Sequence, residues 1–301
     1  MRVLITGATG LVGQEIVKLC REKDIKVNYL TTRVSKIQQK DDYQGFYWNP
    51  NKQEIDENCF KGVDAIIHLS GASVSKRWTT SYKKEILSSR IASTELLINS
   101  LKGETHSIKQ IISASAIGIY SDSLINYYDQ SSNKYSEAFL GRVVQSWEKA
   151  VDGFLDFNIT VSKIRIGLVL SNNGGALQEM VKPIKFGLGA SFGTGKQWQS
   201  WIHVQDLASM FLYVLEKNIS GIYNGVAPNP VTNNELTKTI ATVLKRPLFL
   251  PNIPKVFMKF ILGEMYTLLY DSQRVSSKKI ENKGFYFKFH HLKPALEDLL
   301  G

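Results

Sequence analysis

Three glycines spaced three residues apart, Gly7, Gly10 and Gly13, follow the apolar run Val3-Leu4-Ile5 at the start of the chain. The run reads as a strand, and a strand that leaves through a glycine turn straight into a helix has few ways to continue. Gly7 suits the tight turn, Gly10 lets the main chain approach a pyrophosphate, and Gly13 lets the helix from Leu11 to about Arg21 pack closely on the sheet. The start of that helix adds free N–H groups and the positive end of its dipole. The spacing therefore predicts a dinucleotide site built from Gly7, Thr9, Gly10, Leu11, Val12 and Gly13.

The alternation continues along the chain. Lys26–Thr31, Phe46–Trp48, Ala65–Leu69, Gln110–Tyr120 and Thr160–Leu170 read as further strands. Between them, a helix from Ser81 to Leu101 carries Ile86, Leu87, Ile91, Leu96, Leu97 and Leu101 at helical spacing, and another spans about Phe139 to Phe154. Strands and helices in turn over the first 170 residues predict an α/β fold with a doubly wound parallel sheet. With 301 residues, 43% of them hydrophobic, the chain can bury a sizeable core. After residue 170 the pattern loosens into a loop-rich stretch punctuated by Gly174, Gly175, Gly187, Gly189, Gly193 and Gly195, and helices resume at about 206–217 and 233–245. Pro247, Pro251 and Pro254 then break the chain. The expected division is a dinucleotide-binding domain over 1–245, with substrate-side insertions after 170, and a smaller, mostly helical C-terminal region over 246–301.

The residues after the second strand choose between dinucleotides. A site for NAD usually places Asp or Glu about twenty residues beyond the glycines, to accept from the ribose hydroxyls. Here Thr32 and Arg33 stand there with no acid nearby, and a guanidinium can grip a 2′-phosphate bidentately, so NADP is expected over NAD. Strand ends border the crevice of such a sheet, which brings Leu69, Ser70, Gly71, Ser113 and Val169 toward the cofactor. Glu85 and Arg90 on the long helix suit either the cofactor or a surface ion pair.

Composition removes several function classes. The formal charge of +10 suits anionic small molecules. The basic residues, among them Lys36, Lys40, Lys83, Lys278 and Lys283, are scattered without a long block or a nucleic-acid module, so no nucleic-acid partner is expected. No apolar run approaches a bilayer span and no leader-like segment opens the chain, so we expect no membrane partner and a cytoplasmic location. Cys20 and Cys59 lack the spacing of a metal site or a disulfide framework and read as inert thiols, and no metal constellation is present.

Thr6-Gly7-Ala-Thr-Gly10-Leu-Val-Gly13, Asp64-Ala-Ile-Ile-His-Leu-Ser-Gly71 and Ser200-Trp-Ile-His203-Val-Gln-Asp206-Leu resemble the extended short-chain dehydrogenase/reductase superfamily of sugar-nucleotide epimerases and dehydratases. Gly71-Ala-Ser-Val-Ser-Lys-Arg77-Trp78, Ser89-Arg90, Ser113-Ala-Ser-Ala-Ile-Gly118 and Gly195-Lys-Gln-Trp-Gln-Ser-Trp201 are similar to its atypical epimerase-like branch. Leu262-Gly-Glu-Met265 and the closing Ala295-Leu-Glu-Asp-Leu-Leu300 resemble the branch's short C-terminal domain of unassigned function, so the likeness spans nearly the whole chain. It implies a Rossmann-type fold, hydride transfer, and a nucleotide-linked small molecule such as a sugar nucleotide as substrate. The oligomeric state stays open.

One departure limits what the resemblance carries. Members of the superfamily use a Tyr-x-x-x-Lys pair as acid/base on the helix after the fifth strand, the lysine and the cofactor's charge lowering the tyrosine's pKa. Leu140 and Val144 stand at those places, and Arg90 stands where other members have an asparagine. The superfamily's upstream serine corresponds to Ser115, with Ser113 as the alternative because the spacing to Tyr120 is one residue long. Tyr120, Tyr127, Tyr128, Tyr135 and His203 are the remaining candidates to move a proton, although His203 lies in an apolar setting that favours a structural role. Arg165 and Gln199 are candidates to face a substrate phosphate. Three readings fit: an NADP-dependent epimerase-like oxidoreductase, a non-catalytic NADP-binding sensor or interaction protein, and, third, a flavin or NAD protein.

Overall fold

Seven parallel strands in the order β3-β2-β1-β4-β5-β6-β9 form the central sheet of the computed structural model, which describes residues 1–102 and 106–301. They are β1 (Arg2–Thr6), β2 (Lys26–Thr31), β3 (Tyr43–Asn49), β4 (Ala65–His68), β5 (Gln110–Ala116), β6 (Thr160–Ile166) and β9 (Gly221–Gly225). Two short antiparallel pieces, Gln39–Lys40 and Glu54–Ile55, finish the β3 edge. The register runs straight across the middle: Ile5 pairs with Tyr29 on one side and Ile67 on the other, and Ile67 pairs with Ile112. Val3, Leu4, Ile5, Ile66, Ile67, Ile111 and Ile112 are wholly buried. Strands apolar on both faces belong in a sheet covered on both sides.

Helices provide the two covers. α1 (Leu11–Glu22) packs on α5 (Val204–Glu216), and α2 (Thr80–Lys102) packs on α3 (Phe139–Val151). The sheet is built outward in both directions from β1 and β4, and right-handed crossovers therefore put these two helix pairs on opposite faces. The expected elements of the first 170 residues are all present, with two revisions. The strand expected over Gln110–Tyr120 ends at Ala116 and gives way to a helical turn at Ile117–Ile119. The predicted strand Thr160–Leu170 is two strands: β6 stays in the main sheet, while β7 (Leu168–Leu170) turns away to pair with β8 (Trp201–His203). Gly167 is the corner, held by a bond from its N–H to the Gly225 carbonyl.

A second core sits beyond this corner. α4 (Ala176–Lys185), α6 (Asn233–Val243) and α8 (Leu292–Leu300) bury Leu177, Ile184, Trp201, Leu236, Ile240 and Leu296 together. It thus draws on chain from both sides of residue 245. Between α6 and α8, α7 (Lys255–Leu262) buries none of its residues, and Arg274–Val275 returns to pair with Tyr127–Tyr128. Ile280, Phe285 and Phe287 from this returning segment enter the main core.

Candidate functional site

The strand order reverses between β1 and β4, and ligands of open α/β sheets bind in the crevice beyond the strand ends at such a point. Thr6, the last residue of β1, ties the crevice floor together. Its Oγ1 accepts from the N–H groups of Leu69 (3.0 Å) and Ser70 (3.2 Å) and lies 2.8 Å from His68 Nδ1. With two donors already on the hydroxyl oxygen, Thr6 donates to Nδ1 and the ring proton of His68 stays on Nε2. That nitrogen faces Thr94 Oγ1 at 3.1 Å, and the Thr94 hydroxyl donates to the Arg90 carbonyl. Burial and the nearby Arg90 push the His68 pKa down to about 4, in keeping with a neutral ring.

The glycine turn fits a pyrophosphate on its own geometry. Gly7 has φ +72°, in the left-handed region that favours glycine. A Cβ on Gly13 would stand 2.3 Å from the Gly7 carbonyl oxygen, so the helix can approach the turn only without a side chain there. Gly10 caps α1 with no side-chain bond, and the first turn holds no acid. The first N–H groups of α1 are thus left for an anion. Thr9 and Gly10 are exposed and Leu11 and Val12 half-buried, so this rim meets solvent.

The second strand gives way to two exposed polar residues. Thr32 and Arg33 are exposed just after β2, and the Arg33 side chain makes no ion pair among the described residues. Across the crevice, Arg90 lies against Gly71, gives Nη1 hydrogen bonds to the carbonyls of Ala72 (3.2 Å) and Ile86 (2.8 Å), and stacks over Trp147 at 5.2 Å. It too has no carboxylate partner among the described residues, and burial lowers its pKa to about 10. Glu85 is exposed and makes no ion pair with Arg90. Val169 lies half-buried on β7, opposite Ile202.

Near the C-terminal ends of β5, β6 and β9, polar residues form one bonded network. The Ser115 hydroxyl donates to Glu148 Oε1 at 2.5 Å. Arg165 takes the same carboxylate bidentately, Nε to Oε1 at 2.8 Å and Nη2 to Oε2 at 2.9 Å. Its remaining Nη1 donates to Tyr120 Oη at 3.0 Å, and that hydroxyl donates to Asn224 Oδ1 at 2.8 Å. Asn224 Nδ2 ends the chain on the Ser276 carbonyl. Ser115 is 3% exposed, Arg165 1%, and Tyr120 and Asn224 not at all.

Several expectations change on this geometry. Arg165 does not face a substrate phosphate: its guanidinium is committed to Glu148 and Tyr120. Tyr120 is sealed from solvent, and burial raises its pKa further from neutrality. His203 is a structural residue, because its Nδ1 accepts from the Gln205 N–H and caps α5. Its Nε2 lies 3.3 Å from Asp298, outside hydrogen-bond alignment, and its ring packs 4.1 Å from that of Phe289. Tyr128 is buried on Tyr120 at 5.1 Å, and Tyr127 lies beneath the Arg274 guanidinium. Ser113 donates to the Ala114 carbonyl, and Gln199 is buried on the short strand Trp198–Gln199. Sequence reasoning places Glu148 on the helix without a role and does not reach Asn224. The only available signal for Glu148 was an acid amid the apolar positions of α3, and Asn224 lies in a strand too short to stand out.

An uncapped glycine turn at the switch point of a doubly wound sheet defines an NAD(P)-binding protein of the Rossmann type. More narrowly, the chain belongs to the NAD dependent epimerase/dehydratase family, whose model matches residues 3–225, and residues 253–299 match a domain of unknown function, DUF1731. Epimerase family protein SH2119 of Staphylococcus haemolyticus is 38% identical over 298 residues, 99% of this chain and 98% of that protein. The crystal structure of human epimerase family protein SDR39U1 (isoform 2) with NADPH superposes with a TM-score of 0.86 at 27% identity, covering 99% of both chains. A nucleoside-diphosphate sugar epimerase from Corynebacterium glutamicum superposes with a TM-score of 0.80 at 28% identity, over 100% of this chain and 58% of that one.

Proposed function

We propose that the protein is an NADP-dependent, epimerase-like oxidoreductase acting on a nucleotide-linked small molecule. One observation carries the choice of NADP: Arg33 stands exposed and, among the described residues, without an acid partner just past β2, where an NAD site would hold a carboxylate. The human neighbour crystallised with NADPH supports the same choice. When bound, the nicotinamide supplies a hydride acceptor or donor. On the protein side, the turn at Gly7, Gly10 and Gly13 holds the pyrophosphate, Arg33 the 2′-phosphate, and Arg90 offers a cation at the ends of β1 and β4. The Corynebacterium neighbour supports a sugar nucleotide as substrate.

Ser115 has a narrower role than polarising any carbonyl. Its hydroxyl proton is given to Glu148, so its oxygen can accept from a substrate hydroxyl, which favours an alcohol as the group it orients. Two measurements test the reading. Wild-type protein should bind NADPH more tightly than NADH, and Arg33→Glu should remove about tenfold or more of that preference; an unchanged preference would overturn the choice of NADP. Ser115→Ala should lower turnover and leave NADPH affinity intact, whereas an unchanged rate takes the serine out of the reaction.

A second reading has its own observation. Ser115 and Arg165 both bond Glu148, Arg165 also bonds Tyr120, and all are buried, while α3 carries Leu140 and Val144 where the acid/base pair would stand. A non-catalytic NADP-binding sensor requires nothing more. Incubation with NADPH and a panel of carbonyl compounds and sugar nucleotides separates the two: stereospecific cofactor oxidation supports the enzyme, and tight binding without turnover supports the sensor.

A further inference from the structure

α7 turns its apolar side outward. Val256 is 80% exposed and Phe260 88%, with Phe257 and Ile261 beside them at i, i+4 spacing, and no residue of the helix is buried. A surface helix in a soluble protein does the reverse. The apolar area extends past the helix. Phe249 and Leu250 are exposed ahead of it, and the neighbouring loop exposes Phe186 and Leu188. The two segments touch, since a Cβ on Gly189 would meet Leu248, and Phe192 bridges to Ile253.

The charge around this area is mainly positive. From Leu236 to Gly263 the chain holds Lys238, Lys245, Arg246, Lys255 and Lys259 and no acid, and from Met180 to Lys196 it holds Lys182, Lys185 and Lys196 and again none. Lys255 and Lys259 lie together at the border of the apolar face, their ammonium groups 5.0 and 6.0 Å from the centre of the Tyr266 ring. The first acid after the helix, Glu264, is already paired with Lys83 at 2.6 Å.

Acids do lie at the border, Glu179 paired with Lys182 at 2.6 Å and Asp271 near Lys255, but cations outnumber them. An exposed apolar face with a mainly cationic edge is complementary to one environment above others, in which apolar groups enter a hydrocarbon boundary while ammonium groups meet anionic headgroups. We propose that this face docks on the surface of an anionic lipid bilayer, with α7 lying in the plane of the interface and Phe249, Phe257 and Phe260 inserted. No helix among the described residues is long and apolar enough to cross a membrane, so the contact is peripheral and reversible. The proposal departs from the sequence expectation of no membrane partner, which rested on the lack of a spanning run. It is independent of the cofactor and of catalysis.

Co-sedimentation of the full-length protein with vesicles tests it. Vesicles of mixed phosphatidylglycerol and phosphatidylcholine should pellet the protein, phosphatidylcholine alone should not, and added salt should weaken the binding. The double variant Phe257→Ser/Phe260→Ser should lower partitioning by about tenfold or more. Lys255→Gln/Lys259→Gln should lower it by roughly thirty-fold. All four side chains are exposed or at the helix surface, and unchanged thermal melting and NADPH binding verify that both variants fold. Failure of the wild type to bind the anionic vesicles overturns the proposal. So does binding that the phenylalanine variant leaves untouched, which would be adsorption by charge alone. A wild type that ignores vesicles but self-associates, with the phenylalanine variant monomeric, assigns the face to a second copy of the chain instead.

Discussion

Arg165 and Glu148 illustrate how a single residue can be read correctly as placed and wrongly as used. Arg165 ends the sheet on β6 as the sequence implies, but a guanidinium with 1% exposure needs a carboxylate, and Glu148 supplies one in bidentate geometry. Removing one member leaves the other charged and unpaired in a buried setting. Arg165→Met is therefore expected to cost about 3–5 kcal/mol of stability, while a double replacement of Arg165 and Glu148 by apolar residues of similar size should cost less. Equilibrium urea unfolding of the three proteins measures both numbers. A single variant as stable as the wild type would mean that the pair contributes little. The same network explains why Ser115 could be singled out from its place near the end of the fifth strand while its partner could not: Ser115 stands 33 residues before Glu148, and nothing local links them.

At the scale of elements, the parts that could be read were those with a strong period and their own turn signals. β1, β2, β4 and the amphipathic α1 and α3 declare themselves within a dozen residues, and the glycine turn with Arg33 rests on short-range spacing. β9 escaped notice because Gly221-Ile-Tyr-Asn-Gly225 has no apolar run, and it is a strand because β6 offers it an edge. α4 read as loop because Gly174 and Gly175 precede it and Pro183 lies inside it, yet it is held by the second core. The corner at Gly167 is a further case of tertiary control. A Cβ there would come 2.2 Å from the Ser200 carbonyl oxygen and 2.7 Å from Val226 Cγ1. Gly167→Ala is expected to destabilise by about 1–3 kcal/mol, as overpacking does, and to loosen β7 against β8. Hydrogen exchange at Val169 and Ile202 should rise above that at Ile5 and Ile67. Equal protection in the variant and the wild type would show that the corner has room to spare.

For the whole molecule, the buried titratable groups set how stability responds to acid. His68 and His203 have no exposed surface. Burial brings each down to about 4, with Arg90 adding to the effect at His68 and Asp298 partly opposing it at His203. An unfolded histidine takes its proton near 6.5, so between that value and 4 the unfolded chain binds more protons than the folded one. Stability is then complete above about pH 6.5 and lost as the pH falls through this window. Asp271 works in the opposite sense: burial and the neighbouring Asp122 raise it to about 6, so the folded chain takes its proton first and gains stability between 6 and 3.8. Half-buried, it is partly screened by water, and the two histidines outweigh it. Stability should fall between pH 7 and pH 5, reaching a slope of about 1–2 kcal/mol per pH unit near pH 5. Asp271→Asn should steepen that slope. His203→Asn, which keeps an acceptor for the Gln205 N–H, should reduce it by up to about 1.4 kcal/mol per pH unit. Urea unfolding at pH 7, 6 and 5 measures all three proteins, and a flat wild-type profile over that range would mean that the imidazoles open to water before the fold does.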